Sequence, residues 1–242
     1  MKTKRSLLLL VLLGIIFSAQ KRPAKVDYYT YGKKNNTSEI NLRLEKGRHH
    51  NHPLFAIWLA DTTGKYIETL YVSESIGKGV FKKGSRKTGR WMSGEIERPA
   101  SLPYWTHQRN EKNEKGTLMP TTRYPVADAY TGATPNSSFM MTLFTGEKLN
   151  GRYRVYLELN QSWDWNEYWT NNKFPGDKEY MTSSQPALVY MAIIDTEKSE
   201  EEIALTPVGH SHYAGENGAL YPDLKSITTA LKIAERITVS VK

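Results

Sequence analysis

No cysteine occurs among the 242 residues of this chain. That excludes disulfides, thiolate metal sites, a thiol nucleophile and a lipid-anchored cysteine. Long apolar runs are nearly as scarce. Leu7 to Phe17 is one, about half of the ~20 residues a helix needs to cross a bilayer. With Lys2, Lys4 and Arg5 in front of it, the run reads as the core of an export signal and not as a membrane anchor. Residues 1–19 are the expected signal, cut after Ala19, and no transmembrane anchor is expected beyond it. Enzyme signatures are also missing: there is no G-x-S-x-G, no H-E-x-x-H and no P-loop. Asp164 with Glu167, and Asp177 with Glu179, have the residue types of a glycosidase pair, but sequence does not set their separation. The expectation is an exported protein, periplasmic or at the cell surface, that binds a partner and does not catalyse a reaction.

Acids are missing from one stretch. The chain carries 33 Lys and Arg against 25 Asp and Glu, a net charge of +8. Lys78, Lys82, Lys83, Arg86, Lys87 and Arg90 lie between Glu74 and Glu95 with no acid among them. In an exported protein such a loop can meet acidic glycan, anionic lipid or a phosphorylated ligand. The plainer alternative is a solvated, mobile loop. Nucleic acid is not an expected partner, since no recognisable binding motif is present.

What is present is strand pattern. Ile40, Leu42 and Leu44 alternate with Asn41 and Arg43, the period of a half-buried strand. Leu54 to Ala60 is almost continuously apolar, as in a central strand covered on both faces. Asp61-Thr-Thr-Gly64 then predicts a hairpin into Tyr66 to Val72. A second hairpin is expected about residues 145–151. Phe139, Met141 and Leu143 alternate before it, Tyr153, Val155, Leu157 and Leu159 after it, with Arg152, Arg154 and Glu158 facing out. Ala187 to Ile194 reads as a buried strand. Near the C-terminus helical and strand spacing compete, and the β-branched residues favour a strand with a bend or bulge at Glu235. The pattern predicts an all-β sandwich. Residues 20–38 read as a linker with a short extended piece at Tyr28 to Tyr31, and 39–242 as one elaborated domain with long inserted loops. Segments 73–127 and 160–186 are too long for ordinary connections and are expected to be functional or disordered.

Pro53 to Leu70 is an apolar strand containing Trp58, then Asp-x-x-Gly-Lys, then a strand ending Thr-Leu. It resembles the opening of a family of predicted periplasmic bacterial proteins of unknown function. Phe139 to Glu158, with its Gly-x-Tyr-x-Val return, is similar to the Ig-like domain of flagellar hook-capping proteins. The resemblance spans roughly residues 39–160. It implies an Ig-like β-sandwich and export, and no established activity. Members of the family occur beside flavin transferases and electron-transfer proteins.

Asp128-Ala129-Tyr130-Thr131-Gly132-Ala133-Thr134 resembles the Asp-x-x-Ser/Thr-Gly-Ala-Thr acceptor motif of bacterial extracytoplasmic redox proteins. There a flavin transferase esterifies the last Thr with the phosphate of FMN. The resemblance implies covalent FMN on Thr134, Asp128 positioning the loop, and a flavin transferase and redox partner. Pro135 is a departure, since an apolar residue is usual there, and it pushes Thr134 toward extended backbone. Asp, Thr, Gly and Pro are also ordinary turn residues, so a turn between two strands is the alternative.

Trp163, Trp165, Tyr168 and Trp169 crowd four rings into seven residues, beside Asp164, Asn166 and Glu167. Such rings stack on sugar faces while the polar groups bind hydroxyls. Alternatively they plug one end of the sandwich. Trp105 and His107, in Pro103 to His107, are further ligand candidates. His210 and His212 in Gly209 to Gly215 form a His-x-His that can hold metal if Glu216 or Asp223 joins it. Loop histidines bonded to backbone are the alternative.

Overall fold

The computed structural model describes residues 25–126, 129–198 and 201–242, so the expected signal and Asp128 lie outside the described residues. In chain order the strands are β1 (Val26–Tyr31), β2 (Glu39–Lys46), β3 (Leu54–Ala60), β4 (Tyr66–Ser73), β5 (Val80–Ser85), β6 (Met92–Glu95) and β7 (Tyr130–Gly132). They continue as β8 (Ser138–Phe144), β9 (Arg152–Asn160), β10 (Leu188–Asp195), β11 (Ile203–Ala204), β12 (Thr206–His210) and β13 (Ala234–Val241). Three short helices join them, α1 (Glu74–Gly77), α2 (Pro103–Arg109) and α3 (Lys178–Ser183).

Two sheets face each other, one ordered β1-β8-β2-β13-β11 and the other β12-β10-β9-β3-β4-β7. The all-β sandwich expected from the alternation is thus the architecture. Ile40, Leu42 and Leu44 of β2 point into the same core as Phe55, Ile57 and Leu59 of β3. Phe55 and Phe139, one from each sheet, stack with centroids 5.5 Å apart. β3 and β4 form the predicted hairpin, while β1 pairs in parallel with β8 and β7 in parallel with β4, each at one edge of its sheet. β13 runs beside β2 with a register shift between Ala234 and Arg236, the bulge expected at Glu235. A 3-10 turn at Ala230–Lys232 just before it accounts for the competing helical spacing.

Three expectations are corrected. First, β8 and β9 are not a hairpin. β8 pairs with β1 and β2, β9 with β3 and β10, and residues 145–151 cross from one sheet to the other. Strands that face each other across a sandwich core show the same alternation as hairpin partners, so the period does not separate the two. Second, the sandwich begins at Val26 and not at Glu39, because part of the expected linker is the edge strand β1.

Third, residues 74–126 are a structured covering layer. The outward residues of β3 (Ala56, Trp58 and Ala60) meet Ile76 of α1, Phe81 of β5, Leu102, Trp105 of α2 and Val126 in a second core. The six-stranded sheet is therefore buried on both faces, which is why β3 is apolar at every position. Glu158, expected to face out, is fully buried beneath this layer. Its two carboxyl oxygens accept from the backbone N–H groups of Tyr104 (3.1 Å) and Trp105 (2.7 Å), capping α2 from the neighbouring sheet. β11 and β12 are separated by Leu205 alone, although they belong to different sheets.

Candidate functional site

After β9 the chain wraps one end of the sandwich, and side-chain caps hold its turns. Asn166 Oδ1 accepts from Tyr168 N (2.9 Å) and Trp169 N (2.6 Å), while its Nδ2 donates to Gln185 Oε1, Ser226 O and Thr228 Oγ1. Its hydrogen bonds thus hold the loop itself. Asp177 accepts from Glu179 N and Tyr180 N, which starts α3. The bond to Glu179 is made by that residue's backbone N–H. Tyr180 is buried, and Phe174 stacks on Tyr213 at 4.1 Å.

These turns bring the tryptophan segment against the histidine segment. A cleft of about 860 Å³ opens between Trp165, Glu167, Tyr168 and Trp169 on one side and His210, His212, Tyr213 and Tyr221 on the other. Asp223, Lys225 and Thr228 complete its polar rim. His210 and Tyr221 exchange backbone hydrogen bonds of 2.9 and 2.8 Å, which stacks their rings at 5.4 Å. Trp169 is mostly buried and donates from Nε1 to Ser226 Oγ at 3.2 Å. Trp169 thus belongs to the core as well as to the cleft wall, while Trp165 and Tyr168 line the opening.

The titratable groups are tuned by burial. Burial holds the His210 imidazole below its ordinary pKa, and its Nδ1–H donates to Ser211 O at 2.8 Å. The neutral ring then keeps Nε2 as an acceptor. His212 Nδ1 accepts from Ala214 N (3.2 Å), and its Nε2 lies 3.9 Å from Glu216. Among the described residues no three His, Asp or Glu side chains converge as metal ligands, and both rings are held by backbone and aromatic neighbours. Asp164 Oδ1 accepts from Thr229 Oγ1 at 2.6 Å. Burial raises its pKa, and that hydroxyl opposes the rise. The residue braces the base of the cleft without lining it.

Other candidates are dispersed. Trp105 is fully buried in the second core and donates from Nε1 to Thr69 Oγ1 at 2.9 Å, so it is not a ligand residue. His107 sits on α2, and its Nδ1–H donates to Pro103 O. Trp163 is 58 % exposed in left-handed backbone (φ 61°) and does not line the cleft. Tyr221 and Thr228, which do, carry no sequence signal linking them to the tryptophans.

The Thr134 motif lies elsewhere. Thr131 and Gly132 belong to β7, and residues 133–137 cross to β8 in the opposite sheet, so the segment is an edge strand and a crossing and not a hairpin turn. A Cβ on Gly132 would stand 2.3 Å from the Tyr31 hydroxyl, so any larger residue there would displace the Tyr31 ring. Half-buried Thr134 has its Oγ1 3.1 Å from Ser73 Oγ. With Gly132 and Ala133 it rims a second cavity of about 530 Å³ that also meets His52, Lys78 and Lys82.

Compared with known proteins, the chain matches no family, no curated protein and no solved structure. Among the described residues no helix is long and apolar enough to cross a membrane.

Proposed function

We propose that the protein is an exported, non-catalytic binding module whose ligand is a glycan held in the aromatic cleft. The observation behind this reading is the convergence of Trp165, Tyr168 and Tyr221 with Glu167, Asp223 and Thr228 around one opening of about 860 Å³. Ring faces stack on the C–H faces of a sugar, and the polar rim supplies donors and acceptors for its hydroxyls. Titration with a panel of neutral and acidic oligosaccharides should shift tryptophan emission saturably. Tyr221→Ala should weaken that binding about tenfold, the equivalent of roughly 1.4 kcal/mol, whereas Trp163→Ala should leave it unchanged. An emission spectrum indifferent to every sugar in the panel would remove the glycan reading.

A second reading is covalent FMN on Thr134, favoured by Lys82, which shares its cavity with Lys78 and that lysine's ion-pair partner Glu74. A phosphate esterified to Thr134 Oγ1 would have Lys78 and Lys82 within the same cavity. In the transfer, Oγ1 attacks the FMN-side phosphorus of a flavin dinucleotide, the pyrophosphate bond breaks, and the leaving AMP phosphate takes the hydroxyl proton. Protein exported from a host with an extracytoplasmic flavin transferase should gain the mass of one FMN less one water, and Thr134→Ala should abolish the gain. An unmodified mass from that host would count against the reading. Thr134→Ala leaves the cleft untouched, so the two readings are tested separately.

A further inference from the structure

β5 and β6 form a two-stranded ribbon that stands apart from both sheets of the sandwich. Its base is fixed by Phe81, which is buried in the second core. Its turn is closed by Gly89 N donating to Arg86 O at 2.9 Å, with Gly89 in left-handed backbone (φ 76°). Lys82, Lys83, Arg86, Lys87 and Arg90 are all exposed along it. Among the described residues none of these five is ion-paired; the neighbouring Lys78 is paired with Glu74. Next to them Trp91 and Met92 are 58 % and 52 % exposed, with the Arg86 guanidinium 5.0 Å from the Trp91 ring.

Cations alone would suit any polyanion. A tryptophan and a methionine left in water at the same ribbon end need a partner with an apolar interior beneath an anionic surface. A bilayer has both: tryptophan favours the headgroup level, and each cation near an anionic leaflet contributes about fivefold to partitioning. A soluble acidic glycan or nucleic acid can stack on Trp91 but has no apolar interior for Met92 to enter. We infer that the β5–β6 ribbon docks the protein on an anionic phospholipid surface, with Trp91 and Met92 entering the interface and the five cations meeting headgroup phosphates. The inference is independent of what the cleft binds.

The test is sedimentation of the purified protein with phosphatidylcholine vesicles containing one third phosphatidylglycerol, against pure phosphatidylcholine. The protein should pellet with the first and not the second, with a blue shift in tryptophan emission and quenching by brominated lipid. Trp91→Ala should lower partitioning about tenfold and remove the quenching. Converting all five cations to Gln should lower it at least a hundredfold. These side chains are exposed, so thermal melts should be unchanged. If a variant misfolds, quenching of the wild-type protein by brominated lipid decides the matter. No pelleting, or unquenched pelleting that Trp91→Ala does not weaken, would overturn the inference. Unquenched binding that heparin matches would instead mark the ribbon as a polyanion site.

Discussion

Trp105→Ala should destabilise the protein by about 3–5 kcal/mol, the range for deleting a fully buried aromatic ring. Trp163→Ala should change stability by less than about 0.5 kcal/mol, as an exposed substitution does. In sequence the two tryptophans are equivalent ligand candidates, each in a polar, irregular segment. In the structure Trp105 anchors the 74–126 layer on the six-stranded sheet. Trp58 and Tyr156 of that sheet stack at 5.1 Å in the same core, and Tyr104 packs on both. Removing the Trp105 ring leaves a cavity that rigid strands on one side cannot fill. Urea unfolding of the two variants measures the contrast. A loss under about 1 kcal/mol for Trp105→Ala would mean that the layer does not depend on this anchor.

The second large effect is a pH dependence carried by Glu158. Complete burial pushes its carboxyl up to about 8, opposed by the backbone N–H groups of Trp105 and Tyr104 and by the Ser211 hydroxyl. Between its ordinary value of 4.5 and about 8, the unfolded chain has lost the proton while the folded chain holds it. The unfolded state then binds fewer protons, so stability falls as pH rises through this window, by at most about 1.4 kcal/mol per unit. Below it the contribution is fully present, and above it fully lost. Glu158→Gln turns an N–H₂ toward one of the two backbone donors and should cost about 1–3 kcal/mol at pH 5. Having no proton to lose, the variant should fall less with pH, so the gap narrows and then reverses toward pH 9. Unfolding free energies at pH 5, 7 and 9 check this. A gap that widens with pH would show Glu158 ionised in the fold, acting as an anionic cap.

Strands were legible wherever the period-2 signal was clean. The position of β2 follows from side-chain alternation, those of β3 and β10 from apolar runs, that of β4 from the turn chemistry at 61–64, and the bulge at Glu235 from the β-branched residues around it. Alternation assigns a residue to a face but does not say what covers that face. For β9 it correctly separated Val155, Leu157 and Leu159 from Arg154 and Glu158. The second set faces out of the sandwich, yet the 74–126 layer is there to bury Glu158. The same limit hid the sheet change between β8 and β9. A helix signal was present for Trp105, since Pro103 occupies the first helical position of α2. The cleft was legible as two halves, the rings of 163–169 and the histidines of 209–215. Their meeting depends on the bonds from Asn166 Nδ2 to Gln185, Ser226 and Thr228 and on the bridge between His210 and Tyr221, and these join segments that no local pattern connects.

Leu205 has a consequence for how the fold keeps its alignment. It alone separates β11, paired with β13, from β12, paired with β10. Strand pairing normally tolerates local sliding, with the slack taken up by loops. Here the linker is a single residue: a shift of β11 along β13 would pull on β12, whose pairing with β10 already carries a register irregularity between Val189 and Tyr190. A one-residue step would also turn alternate side chains over in both strands. The two sheets are therefore coupled along this edge, and one buried leucine joins them, much as a single link joins two chains.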